Sequence, residues 1–243
     1  MRQQKIRIPV IGVSSIMARA RRTTPVRSMR TIRLRQLGGV LAAAAILGAC
    51  DLLDNALSVD AAGMVDVGDI YDPANAHLLV SGTIADFECA LGAYIVNSGL
   101  LGNELRDASV TAARFPLDSR TINDASPYGV NGCAGNPPGI YRPLATAIWT
   151  SRDALEHLRT WTDAEVDDRT DLIAQAATYA GLSHTLMGEG FCTAVIEEEG
   201  PEVQPAQVFA AAETYFDEAI TAANAAGNET MLNLAQLGRA RVR

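Results

Sequence analysis

The chain has 243 residues, 48% of them hydrophobic and 5% aromatic, with 20 basic and 28 acidic side chains. The charge is segregated: residues 1–49 hold ten basic side chains and no acid, whereas residues 50–243 hold ten arginines against all 28 acids, a formal −18. So acidic a segment, without one lysine, argues against a nucleic-acid partner, which needs basic patches to neutralise phosphate, and against electrostatic docking on anionic lipid. Its hydrophobic content is largely alanine, which favours helix over sheet. The 194 residues after position 49 suffice for one buried core.

The first segment reads as an export signal. Arg30, Arg33 and Arg35 precede the uncharged run Leu37 to Leu47, and Gly48-Ala49 supplies the small residues of a processing site. Thirteen uncharged residues from Leu37 to Ala49 are too few to span a bilayer, which takes roughly 20. Met29 is a better-placed start than Met1. Leu47-Gly48-Ala49-Cys50 resembles a bacterial lipobox, in which the cysteine takes a diacylglyceryl group and becomes the first mature residue. That resemblance makes Cys50 the lipid-attachment residue and residues 1–49 a removed signal. A plain secretory signal with a chance cysteine at its end is the alternative. Residues 50–72 read as an acidic tether.

The helical domain begins at Asp72-Pro73, an N-cap followed by proline at the first helical position. Val80, Ile84, Phe87, Leu91 and Tyr94 then step by 4, 3, 4 and 3, the spacing of one helix face, until Asn97-Ser98-Gly99 ends it. Arg114 to Gly139 is rich in turn residues, and a connection this long in a compact domain is usually functional or disordered. Pro143 opens a second helix with Leu144, Ile148, Leu155 and Leu158 on one side, and helical spacing assigns Trp149 and Trp161 to the core. Thr162-Asp163-Ala164-Glu165 fits a capping box ahead of a helix carrying Leu172, Ala176, Tyr179, Leu182 and Leu186. Glu197-Glu198-Glu199-Gly200-Pro201 is a solvated acidic loop, since three consecutive carboxylates cannot share one helix face. Pro205 starts the next helix, with Val208, Ala212, Phe216 and Ala219 inward, and Gly227 stops it. Asn228 caps the last, which carries Leu234, Leu237 and Gly238 and is still running at Arg243, so the fold is expected to continue.

With Cys50 acylated, Cys89, Cys133 and Cys192 remain. An exported protein can form a disulfide from two of them and leave one thiol; three separate thiols fit equally well. His77, His157 and His184 show no metal-ligand spacing with these cysteines, and no cofactor is implied. The chain carries no nucleophile elbow, zinc-binding histidine motif, phosphate loop or dinucleotide fingerprint, which argues against an enzyme.

Ala212, Phe216 and Ala219 match the second-helix pattern of a tetratricopeptide repeat, while Met187-Gly188 with Phe191, and Leu237-Gly238, resemble its first-helix pattern. The period is irregular, as in degenerate repeats. Glycine and alanine let antiparallel helices approach closely where phenylalanine fills the gap.

Taken together, the segments resemble the N-terminal portion of a SusD/RagB-family protein. The resemblance rests on four ordered motifs: the lipobox with Cys50-Asp51-Leu52-Leu53-Asp54; Ala174 to Ala180 followed by Leu186-Met187-Gly188-Glu189-Gly190-Phe191; Pro205 to Phe209 leading to Phe216-Asp217-Glu218-Ala219; and Asn233 to Val242. Alanine and threonine stand where the second motif of the family carries arginine. The resemblance implies an all-α fold of antiparallel helix pairs, tetratricopeptide-like, with one long irregular loop. It also implies a surface lipoprotein of the outer membrane that captures glycans or other nutrients and passes them to a SusC-like TonB-dependent transporter, binding without bond chemistry. A lipid-anchored helical scaffold for protein partners is the alternative. No family motif fixes the ligand contacts; on physical grounds they are expected in the loop from Arg114 to Gly139, with Tyr128 and Asn131 as candidates.

Overall fold

The computed structural model describes residues 67–108, 115–123 and 126–243. Cys50, the signal and most of the tether lie outside them. Five long helices carry the fold: α1 (Ala76–Leu101), α2 (Tyr141–Thr160), α3 (Arg169–Gly190), α4 (Pro205–Ala226) and α5 (Glu229–Val242). No strand occurs among the described residues, only an isolated antiparallel bridge between Ala194 and Val203. The fold class is therefore all-α.

Successive helices run antiparallel. Thr83 of α1 donates to the Thr150 carbonyl of α2 at 3.3 Å, Gly181 and Gly188 of α3 face Phe216 and Phe209 of α4, and Phe216 in turn faces Gly238 of α5. The sequence numbers fall on one helix as they rise on the next. Central to the arrangement is α3, which packs against each of the other four. Its buried positions are mostly small, among them Ala174, Ala176, Ala177, Ala180, Gly181 and Gly188, so neighbouring backbones can come close. Its buried hydroxyls satisfy themselves: Thr178, Ser183 and Thr185 each donate to the carbonyl four residues back. Because α3 is covered on nearly all sides, the single apolar stripe that spacing assigns to it understates its burial.

The ends of the helices follow local chemistry. Asp72 accepts from the Ala74 N–H at 2.9 Å ahead of Pro73, and a short 3-10 turn leads into α1. That helix ends at Leu101, two residues beyond the expected Gly99, and its buried side includes Val80, Thr83, Phe87, Ala90 and Asn97. By length and composition residues 73–101 could cross a bilayer; here they form the outer layer of the bundle on one side. Tyrosine 71, placed in the tether by its sequence context, stacks on His157 of α2 with ring centroids 4.1 Å apart. Pro143 is the third residue of α2 and not its first. The Thr162–Glu165 segment is a turn, not a helix start: both the N–H and the hydroxyl of Thr162 donate to Glu165 at 2.8 Å, and α3 begins only at Arg169, behind Asp168 in the left-handed region (φ 54°). The start of α4 is held by a reciprocal Gln204–Gln207 box and its end by Gly227 at φ 69°. At α5, Asn228 accepts from the Met231 N–H at 3.0 Å.

The four inward residues expected on α4 are all essentially inaccessible, and so are Leu144, Ile148, Leu155 and Leu158 of α2. Trp149 is the exception to the core assignment: it is 49% exposed, while Trp161 packs half-buried against the main core. The stripe that buries Leu144, Ile148 and Leu155 leaves the next residue, Trp149, on the outer face. Surface ion pairs such as Arg159–Glu218 and Arg239–Asp217 link different helices but contribute little each, about 0–1 kcal/mol.

His184 is the buried titratable group of this core, 1% exposed. Its Nδ1 donates to the Ala180 carbonyl at 2.7 Å, and its ring lies 5.0 Å from that of Tyr215. Burial lowers its pKa to about 4, with the Ala180 bond opposing and Arg152 adding to the fall. A histidine that protonates more readily unfolded than folded contributes stability that is complete above pH ~6.5 and lost as pH falls toward about 4. Between pH 7 and pH 5 the wild type is expected to lose about 2 kcal/mol more than His184→Phe, measured by urea unfolding. Parallel pH curves for the two proteins would contradict this assignment.

Candidate functional site

The antiparallel order brings the end of α1, the start of α2 and the end of α3 to the same end of the bundle, and the excursion between α1 and α2 crosses there. This long irregular connection contains two single helical turns, Phe115–Asp118 and Pro127–Val130. It is tied down at several points. Cys89 of α1 and Cys133 form a disulfide, which settles the cysteine alternatives in favour of one pair, and Cys192 is an exposed free thiol. The Ile140 N–H donates to the Tyr128 carbonyl at 2.7 Å, and the Arg120 guanidinium donates to the Leu101 carbonyl at 3.2 Å.

Between the excursion and the helix ends lies a cleft of about 740 Å³. The end of α1 contributes Tyr94, Asn97 and Leu101 to it, the excursion Leu117, Ile122, Tyr128 and Val130, the start of α2 Tyr141, and the end of α3 Glu189, Gly190 and Phe191. Its walls are largely apolar, with polar groups few and scattered, as in small-molecule sites. The volume also falls in the range of such sites, roughly 300–1,000 Å³. Tyr141 meets Phe191 edge-on at 5.0 Å, and its hydroxyl accepts from the Val195 N–H at 3.0 Å. A second cleft of about 450 Å³ lies on the other side of Asn97 and Tyr128, which line both, and ends at Leu105, Arg106 and Pro138.

No family model, curated protein or solved structure matches this chain. What the cleft can do follows from its own residues.

Of the two loop candidates, Tyr128 is at the cleft, as a wall: it is 4% exposed and packs with Leu100 and Leu117 in a small core of its own. Asn131 is outside the lining of both clefts. Its amide donates to the Pro137 carbonyl at 2.8 Å, and a Cβ on Gly139 would sit 1.8 Å from its backbone oxygen. Asn131 therefore fastens the loop, and the glycine is what lets the two strands of the loop touch. The aromatic residues that complete the cleft come from helix ends that spacing alone assigns to core or leaves unassigned. Two of them share a signal in position, since Tyr141 opens α2 and Phe191 follows the last residue of α3, whereas Tyr94 lies about two turns before the end of α1.

The lining has no lysine, arginine or histidine; Glu189 is its one carboxylate. That carboxylate receives two hydrogen bonds of 2.7 Å from the Arg241 guanidinium of α5. Burial raises the Tyr94 pKa and Glu189 raises it further, with Arg241 partly offsetting both. The phenol therefore stays neutral and keeps its donor. Among the described residues no group of three or more His, Cys, Asp or Glu is placed to hold a metal ion.

Proposed function

We propose that this protein is a lipid-anchored binding protein of the outer membrane, exposed at the cell surface. It holds a glycan or other small nutrient in the cleft and hands it to a SusC-like TonB-dependent transporter. The observation that carries this reading is the 740 Å³ cleft itself, which has aromatic and apolar walls. The Cys89–Cys133 disulfide suits an oxidising compartment outside the cytoplasm and accords with the export signal. The pairing of Phe216 with glycines of α3 and α5 supports the tetratricopeptide-like reading of the second half. A scaffold for protein partners is the second reading, and exposed Trp149 favours it, since tryptophan is a frequent anchor of interfaces.

Pull-down of the full-length protein from detergent-solubilised outer membrane is expected to bring down a barrel transporter. Native mass spectrometry of the same preparation is expected to show a bound small molecule. Ser98→Trp, at an exposed position of the cleft wall, is expected to abolish the bound mass and leave the transporter in the complex. If no transporter co-purifies, the handover reading fails; if Ser98→Trp retains the ligand, the cleft is not its site.

A further inference from the structure

The electrostatics of the cleft select among ligand classes. Helices α1 and α3 both end there and α2 begins there; the last carbonyls of α1 are taken by the N–H groups of Gly102, Asn103, Glu104 and Leu105 and by Arg120, which leaves the end of α3 as the negative terminus beside the space. The last carbonyls of a helix lack intrahelical partners, and at α3 the chain leaves Gly190 through an extended Phe191 (φ −133°, ψ 142°), which keeps that end beside the cleft. Around it stand the rings of Tyr94, Tyr141 and Phe191 and the carboxylate of Glu189. Ring faces, carbonyl oxygens and a carboxylate all attract positive charge. A phosphate, sulfate or carboxylate group entering the cleft would meet no lysine, arginine or histidine in its lining. Among the described residues three arginines near the cleft oppose this preference, and each is engaged: Arg241 by both carboxylate oxygens of Glu189, Arg120 by the Leu101 carbonyl and Arg142 by the Val130 carbonyl.

We infer that the cleft takes an organic ammonium: a protonated amine whose apolar body lies along Leu117, Ile122 and Val130 and whose cationic end sits among Tyr94, Phe191 and the end of α3. The inference rests on the cleft being the ligand site. The amine would donate to carbonyl oxygens of the last turn of α3, and its charge would be held over the aromatic faces. Arg241 sets the strength of the site, because its guanidinium and the ligand compete for the same carboxylate.

The test uses the full chain carrying Cys50→Ser, which prevents acylation, titrated with three probes that share one apolar body. These are 4-phenylbutylammonium, 4-phenylbutan-1-ol and 4-phenylbutanoate, followed through the ¹H–¹⁵N NMR resonances of the cleft glycines Gly102, Gly129 and Gly190. The ammonium is expected to bind about tenfold more tightly than the alcohol, and the carboxylate more weakly than either. Arg241→Gln is expected to tighten the ammonium several-fold and leave the alcohol unchanged, and Tyr94→Leu to weaken the ammonium more than the alcohol. Equal binding of ammonium and alcohol would overturn the charge preference while leaving the cleft as a small-molecule site. Tightest binding by the carboxylate would overturn it with the opposite sign. No shift at these glycines with any probe, in a protein whose spectrum is that of a folded chain, would overturn both this inference and the apolar-walled ligand site beneath it.

Discussion

Phe216→Ala is expected to lower the stability of the helical domain by about 3–5 kcal/mol, which is a large part of the 5–15 kcal/mol typical of a whole domain. The side chain is fully buried, and its ring is clasped between two glycines on different helices. A Cβ added at Gly181 of α3 would come within 2.6 Å of the ring, and one at Gly238 of α5 within 2.4 Å. The ring therefore fills the space where three helices meet. Deleting it leaves a cavity walled in part by glycine backbone and alanine, which relax into a void less readily than long side chains do. Urea unfolding monitored by far-ultraviolet circular dichroism gives the test: a loss below 1 kcal/mol would show that the three helices close up over the gap. Gly238→Val in the same experiment probes the opposite fault, overpacking, and is expected to cost about 1–3 kcal/mol.

Removing the disulfide has an effect of similar size by a different route. Cys89 and Cys133 are 44 residues apart in sequence, and closing a loop of that length removes entropy from the unfolded chain worth about 4 kcal/mol. The variant Cys89→Ser/Cys133→Ser is expected to unfold at correspondingly lower urea concentration. Its excursion, then held by the small cluster around Leu100, Leu117 and Tyr128 and by a few hydrogen bonds such as Arg120 to the Leu101 carbonyl, is expected to become the first site of limited proteolysis. Since that excursion supplies one wall of the cleft, ligand binding should weaken more than the helical circular dichroism falls. An unchanged urea midpoint, with the native cleavage pattern retained, would mean that the bridge constrains nothing the rest of the fold does not already hold.

How legible these features are in the sequence depends on how local their causes are. The second half of the chain reads well because its signals are short-range: proline at the start of α4, glycine at its end, asparagine before α5, and a clean 3.6-residue stripe through Val208, Ala212, Phe216 and Ala219. Where tertiary contacts override the pattern, spacing misleads. The Thr162–Glu165 segment has the composition of a capping box, yet the chain spends three more residues turning before α3 begins, because Arg169 reaches back to the Leu158 carbonyl and the Asp163 carboxylate. Trp149 has the hydrophobicity of a core residue but occupies the wrong angle on α2. Helix α3 loses its stripe because neighbours cover nearly every side. The cleft is the least legible feature. Tyr128 can be picked from a turn-rich stretch, but Tyr94, Tyr141 and Phe191 are separated by 47 and 50 positions and meet only because antiparallel packing stacks three helix ends. Composition carries no trace of that meeting. Asn131 shows the converse: a polar loop residue with the look of a ligand contact turns out to fasten its own loop to Pro137.

The small-residue surface of α3 has an evolutionary corollary. In most helical proteins large core residues tolerate exchange for one another, and the alanines between them tolerate little change only where they touch a neighbour. Here the central helix touches a neighbour almost everywhere, its alanines are buried, and a carbon added at Gly181 or Gly188 would meet a phenylalanine ring. Variation among descendants of this sequence would thus be squeezed out of the middle of the fold and displaced to the outer faces of α1, α2 and α5. The helix that looks least distinctive in composition would be the slowest to drift.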